Sequence, residues 1–447
     1  VALMCFMNVV SGQELPVCII GAGFAGLKAG SDLEKAQIPY IIVEGSSRIG
    51  GRVYPLKYED GYLQYGATYI NGNANPIYTI AESNGLVDNN ATNEGDDYVP
   101  IYIQNEVIEG SDLRDFTDFS DALAEKFGEF SAKGRATETT IEAFNKEYQA
   151  FLKKNNRVSR KSRFDQLARM YITEQEDEWA AIMSNFALEN YEKFDDGSED
   201  HIEYSLNKQG FKKILDVISA NVPQNKIKLN SVVSKVDYSS GNSVELTTAT
   251  GPMDCSSVIV TCSLGYLKRH ARSMFTPSLS LKKISAIQSL GFGNMQKLFL
   301  VYDRQWLHDP SYRTIGPSSS NIFGRGLSFD NVPWSKKTVQ FWFSGPAVEA
   351  IGVMSDQTLM REITAHLKST LKNVTVPNPK RLIRHMWYQD PLVLGSYSYH
   401  TPASVTLGDA NAMLADPIMG SNGRPLVMFA GEATESIVYQ TTIGAFL

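Results

Sequence analysis

The chain has 447 residues, 43% of them hydrophobic and 20% charged, with a formal net charge of −7. That length exceeds one simple core, so two domains are expected, and the composition excludes a disordered or fibrous chain. The acidic balance disfavours nucleic acid and suits a cationic substrate; no apolar run reaches the ~18 residues that a membrane span needs.

Residues 1–12, VALMCFMNVVSG, read either as the tail of a signal-peptide apolar region, with Val10-Ser11-Gly12 as the cleavage site, or as a frayed start. The first reading sends the protein to the secretory pathway or outside the cell; the cytoplasm and the peroxisome are the alternatives. Sequons at Asn90 and Asn373 are what chance gives in a chain this rich in Asn. Cysteines 5, 18, 255 and 262 show no CxxC or Cys/His spacing. Buried thiols are expected, with no metal and no disulfide framework.

An apolar run, Val17 to Ile20, ends in Gly21-x-Gly23-x-x-Gly26. A helical segment and a second apolar run, Ile41 to Val43, then lead to Glu44. This is a βαβ unit carrying the dinucleotide fingerprint. Gly21 permits the tight turn, Gly23 lets backbone approach a pyrophosphate, and Gly26 lets helix and strand pack. The helix N-terminus offers unpaired N–H groups to the phosphates, and Glu44 stands where a carboxylate accepts ribose hydroxyls. Arg48-Ile49-Gly50-Gly51-Arg52 follows, a second glycine pair with Arg52 as a fixed cation. Nicotinamide-binding domains lack this extension; it resembles the FAD signature of the flavin amine oxidases.

Further along, Pro76 to Ala81 starts a helix, and SDLRDFTDFSDALAEKFGEF (111–130) and TTIEAFNKEYQAFLKK (139–154) carry helical apolar spacing. Residues 100–195 thus read as a charged helical insertion whose charge runs are solvated faces. A helix opens at Gly210-Phe211. Strands are expected over 227–236, 244–246 and 257–262, then over 297–302 and 339–343, followed by an amphipathic helix near 357–371. The last strand, 426–430, runs into Gly431-Glu432-Ala433-Thr434. The two textures interleave. The expected fold is α/β, with a discontinuous Rossmann-like cofactor domain (13–85, 205–290, 385–447) and an α+β substrate domain (86–204, 291–384).

Five blocks in this order resemble the flavin amine oxidase family across nearly the whole chain: GxGxxG, RIGGR, YGATYING (65–72), GFGNMQK (291–297) and GEAT (431–434). Within it, Gly395 to Tyr399 and Tyr439 to Thr442 are similar to animal polyamine oxidases. The resemblance implies FAD in contact with Gly66, Ala67, Thr68, Val233, Trp387, Gly431, Glu432 and the backbone at Thr442 and Ile443. Relatives with covalent flavin carry Cys where this chain has Ser396, so FAD is expected to be noncovalent. Lys297 is implied to assist flavin reoxidation by O2; read without relatives, it is either a snorkelling surface residue or a buried ammonium with a specific partner. Tyr397 is implied as one wall of an aromatic cage, and Thr441 replaces the tyrosine that many relatives use for the other. Two departures stand out. Relatives usually have His at position 443, and His or Glu at position 71, where Asn71 faces the substrate without charge. Glu189 is the carboxylate expected at the mouth for a distal ammonium.

The implied activity is oxidation of secondary amines in spermine or N-acetylated spermine and spermidine by O2, giving an aldehyde, a shorter amine and H2O2, with no obligate protein partner. An L-amino-acid oxidase would need an arginine clamp, and none can be placed. A methyl-lysine oxidase would need a long helical tower, for which the 100–195 insertion is short. A flavin-binding protein without catalysis would not need Lys297 and Tyr397.

Overall fold

The computed structural model describes residues 9–10, 13–88, 101–103, 106–195, 202–308, 311–315, 322–323, 326–371 and 374–447. The sequon asparagines Asn90 and Asn373, Cys5 and most of the leader-like segment lie outside them.

The fingerprint strand, Val17–Ile20, is buried at all four positions, as expected of a parallel strand covered on both faces. It lies inside a six-stranded sheet, ordered Ile227–Lys228, Tyr40–Val43, Val17–Ile20, Ser257–Val260, Pro425–Phe429, Ile418–Met419. The first five strands run parallel and the last is antiparallel. The helix Phe24–Lys35 turns Phe24, Leu27 and Leu33 inward, where Phe24 meets Phe211 of the helix Gly210–Ser219. Each fully buried side chain of this size contributes about 1.5–3 kcal/mol.

A four-stranded sheet beside it holds Gly251–Cys255, Val244–Thr248, Val233–Asp237 and Phe275–Thr276. Within the 227–236 region two strands form, Ile227–Lys228 in the parallel sheet and Val233–Asp237 here, separated by residues 229–232. The second large sheet has seven strands: Arg381–Arg384, Met295–Val301, Ser335–Ser344, Leu327–Val332, Ser311–Ile315, Ile101–Ile103 and Glu106–Val107. The helices Ser111–Phe130, Thr140–Lys153 and Lys161–Glu178 close over an aromatic core that includes Phe127, Phe144, Phe151 and Phe164. Chain order therefore alternates between two layered units, one built on the parallel sheet and one on the antiparallel sheet.

One expectation fails. Cys18 and Cys255 are not free thiols: they form a disulfide, with Cα atoms 5.7 Å apart. The strand Ser257–Val260 pairs in parallel with the fingerprint strand, Val258 opposite Cys18. The chain entering that strand thus brings Cys255 alongside Cys18, a proximity hidden by a separation of 237 residues. Cys262 remains a thiol.

Candidate active site

At the end of the fingerprint strand the backbone turns at Gly21 with φ +107°, a conformation that side chains with a Cβ rarely adopt. Close packing is required at Gly26, where a Cβ would lie 1.9 Å from the Gly21 carbonyl oxygen. Gly23 and Gly51 then face each other with no side chain between them; a Cβ on Gly51 would stand 3.2 Å from the Gly23 Cα. Glu44 holds the loops in place: its carboxylate accepts from the Ala22 N–H at 2.6 Å and the Ser46 N–H at 2.7 Å. Bare backbone, a helix N-terminus with no side-chain cap and a carboxylate at the second strand's end suit a dinucleotide pyrophosphate and ribose. The cradle fits the group that the sequence implied.

A cavity of about 1500 Å³ extends from this cradle past Val233 and Trp387 to Lys297, Tyr397, Thr441 and Asn71. Gly66, Ala67, Thr68, Gly431 and Thr442 also line it. The Trp387 indole N–H donates to the Tyr65 carbonyl at 3.0 Å, which fixes the ring beside Gly66.

Arg52 is held in place by a buried carboxylate and a backbone carbonyl. Its Nη1 donates to Glu432 Oε1 at 2.8 Å and to the Ser396 carbonyl at 2.7 Å. Glu432, 3% exposed, also accepts from the Ser398 hydroxyl at 2.6 Å and the Gln440 N–H at 3.1 Å. The pair joins segments 380 residues apart at the cavity wall.

Lys297 is buried, on the strand Met295–Val301 directly opposite Trp342. Its ammonium donates to the Gly66 carbonyl and the Thr68 hydroxyl. Burial, with no counter-ion among the described residues, lowers its pKa to about 7. The Tyr397 hydroxyl donates to the Asp177 carbonyl at 3.0 Å, so the ring is held at the wall. The Ser396 hydroxyl donates to the Gly293 carbonyl at 2.8 Å and accepts from the Met295 N–H at 2.9 Å. Thr441 lines the cavity, but its hydroxyl caps the final helix, Thr442–Phe446, accepting from the Gly444 N–H at 3.0 Å. Ile443, expected to contact the cofactor through its backbone, instead packs its side chain into the core against the fingerprint unit and is not part of the cavity lining.

Glu189 must be corrected. Its carboxylate pairs with Lys193 at 2.8 Å and lies 3.8 Å from His400 Nδ1. It precedes the short helix Asn190–Lys193, so the one-turn spacing brings Lys193 to it. It is turned into the helical layer and is not part of the cavity lining.

Other carboxylates supply the negative wall: Asp177, Glu178, Glu203 and Asp330. Glu203 sits opposite Asn71 in an antiparallel pair and accepts from its amide at 3.4 Å. Desolvation, reinforced by Glu178 and Asp330, raises the Glu203 pKa to about 7. Desolvation raises Asp330 to about 6 against a 2.5 Å hydrogen bond from the Trp342 indole. Asp177 rises to about 7, mainly through burial. The Glu178 side chain is open to the cavity, yet the surrounding protein desolvates it enough to raise its pKa. Sequence reasoning missed these groups. Asp177 and Glu178 belong to a charge run that reads as a solvated helix face, and Glu203 needs the strand pairing to be seen.

A dinucleotide cradle opening into an aromatic, acid-lined cavity with a buried lysine defines a flavin-dependent oxidoreductase of two interleaved units. The sequence profile described as "Flavin containing amine oxidoreductase" matches residues 24–447. The chain belongs to that family, and FAD is its cofactor. It is 25% identical to the peroxisomal N(1)-acetyl-spermine/spermidine oxidase of Bos taurus, over 98% of this chain and 93% of that protein. Probable polyamine oxidase 5 of Arabidopsis thaliana is 26% identical, over 97% and 96%. Lysine-specific histone demethylase 2 of Homo sapiens is 28% identical over 96% of this chain, which spans 52% of that protein.

Proposed function

We propose that this protein oxidises secondary amine groups of polyamines with O2 and water, yielding an aldehyde, a shorter amine and H2O2. The observation that carries the reading is the cavity that ends at Lys297 and Tyr397 between an aromatic wall and four carboxylates. Bound FAD supplies the acceptor for the hydride equivalent. The protein's own residues do the rest. Tyr397, Trp342 and Tyr69, the last two stacked at 6.1 Å, narrow and dry the site, which favours the neutral amine whose lone pair drives the transfer. Glu178, Glu203 and Asp330 hold the ammonium groups further along the chain of the substrate. Lys297, poised near neutral pH, keeps an ionisable group at the cavity wall for the step with O2. The Ser396 hydroxyl, committed to backbone partners, offers no thiol for a flavin bond, so FAD is held noncovalently through the two glycine loops.

The arginines that line the cavity already have partners: Arg48 on backbone carbonyls, Arg52 on Glu432, Arg313 on Glu174. Among the described residues, an amino-acid carboxylate therefore finds no free arginine clamp in the cavity. Peroxide release from spermine, N-acetylspermine, spermidine, an L-amino acid and a methyl-lysine peptide tests the reading. Turnover is expected with the polyamines; turnover confined to the amino acid or to the peptide would overturn it. The buried Cys18–Cys255 cross-link further supports an oxidising compartment, such as the secretory pathway.

A further inference from the structure

We infer that Thr68 is the positioning residue for Lys297, its hydroxyl and the Gly66 carbonyl fixing where the ammonium sits on the cavity wall. Lys297 is 4% exposed and donates to both groups. Thr68 in turn donates to the Gly66 carbonyl at 3.1 Å, closing a three-membered network. The Trp342 ring lies on another side, its centroid 5.2 Å from Nζ. Among the described residues, Lys297 forms no ion pair, and desolvation pulls its pKa down. Two neutral oxygens therefore take the place that a carboxylate usually fills for a buried ammonium.

An ammonium has three donors. Two are held here, which leaves one to point into the cavity. Gly66 belongs to the loop pressed against the Arg52 carbonyl, where a Cβ on Gly66 would come within 1.7 Å, and the Ala67 N–H donates to that carbonyl at 3.3 Å. The network thus ties Lys297 to the cofactor cradle. Valine matches threonine in shape but removes the acceptor. Lys297 would then lose one of its two anchors, and its charged form would be favoured less, which lowers its pKa further. A hydrogen bond to a charged group is worth about tenfold or more in equilibrium.

The inference rests on the reading of Lys297 as the residue that assists the step with O2, and the test separates the two. FAD-loaded wild type, Thr68→Val, Thr68→Ala, Thr68→Ser and Lys297→Met are compared by three readouts: anaerobic reduction by spermine, reaction of the reduced enzyme with O2, and trace acetylation of Lys297 against pH, followed by peptide mass spectrometry. In Thr68→Val the O2 step is expected to slow about tenfold, with the spermine step within about twofold, and the acetylation midpoint to move to lower pH. Thr68→Ser should restore both. Wild-type acetylation and O2 rates in Thr68→Val, with Lys297→Met crippled, would overturn the inference and leave the Lys297 reading standing. An unchanged O2 step in Lys297→Met would instead remove that reading. Loss of FAD, or equal slowing of both steps in Thr68→Val and Thr68→Ala, would assign Thr68 to the fold alone and also overturn the inference.

Discussion

Glu203 enters the cavity across a two-residue strand pair and meets Asn71. An uncharged side chain at position 71 does not leave the site without charge, because the carboxylate comes from the partner strand. Its pKa of about 7 gives a signed expectation. The group is neutral below that pH and anionic above it, so its attraction for an ammonium turns on as pH rises. KM for spermine should fall about tenfold more between pH 6 and 8 in wild type than in Glu203→Gln. The difference between the two enzymes removes the titration of the substrate itself. Superimposable profiles would exclude Glu203 as an ammonium ligand. Lys297 and Tyr397 could be singled out from their neighbours in the chain. Glu203 could not, since its meaning lies in the residue opposite, and Glu189 misled because the one-turn contact with Lys193 is a local fact that only its orientation reveals.

At the level of elements, the βαβ unit was the most legible part, because strand, turn glycines and helix follow one another within a few dozen residues. The helices at 111–130 and 140–153 were legible for the same reason. What hid was the outcome of long-range pairing: the seven-stranded sheet joins strands from two separate insertions within the parallel sheet's sequence. The helix Thr442–Phe446 shows how an element constrains a site residue. Thr441 reads as a cage wall, yet its hydroxyl accepts from Gly444 and donates to the Val438 carbonyl at 2.7 Å. Thr441→Ala should cost the helix about 1 kcal/mol. That corresponds to roughly fivefold faster hydrogen exchange at the Gly444 amide, if local opening governs it. Unaltered exchange there would mean that the cap does not hold this turn.

Across the whole molecule, two cross-links join distant parts of the chain. Cys18–Cys255 fastens the fingerprint strand to the neighbouring sheet, and cysteine spacing gave no sign of it, because the parallel pairing of Val17–Ile20 with Ser257–Val260 brings together sulfurs 237 residues apart. Peptide mapping without reductant should recover residues 18 and 255 as one linked species. Cys18→Ala/Cys255→Ala should lose about 2–4 kcal/mol of stability, measured by denaturant unfolding; free thiols at both positions would contradict the assignment. The second link is Arg52–Glu432. During synthesis the glycine loops emerge first, and the acid that neutralises Arg52 follows 380 residues later. At about 5–20 residues per second, the nascent chain carries an unfinished cradle for roughly 20–75 s. Capture of the flavin in its final setting therefore waits until Glu432 has emerged and the two loop regions can meet.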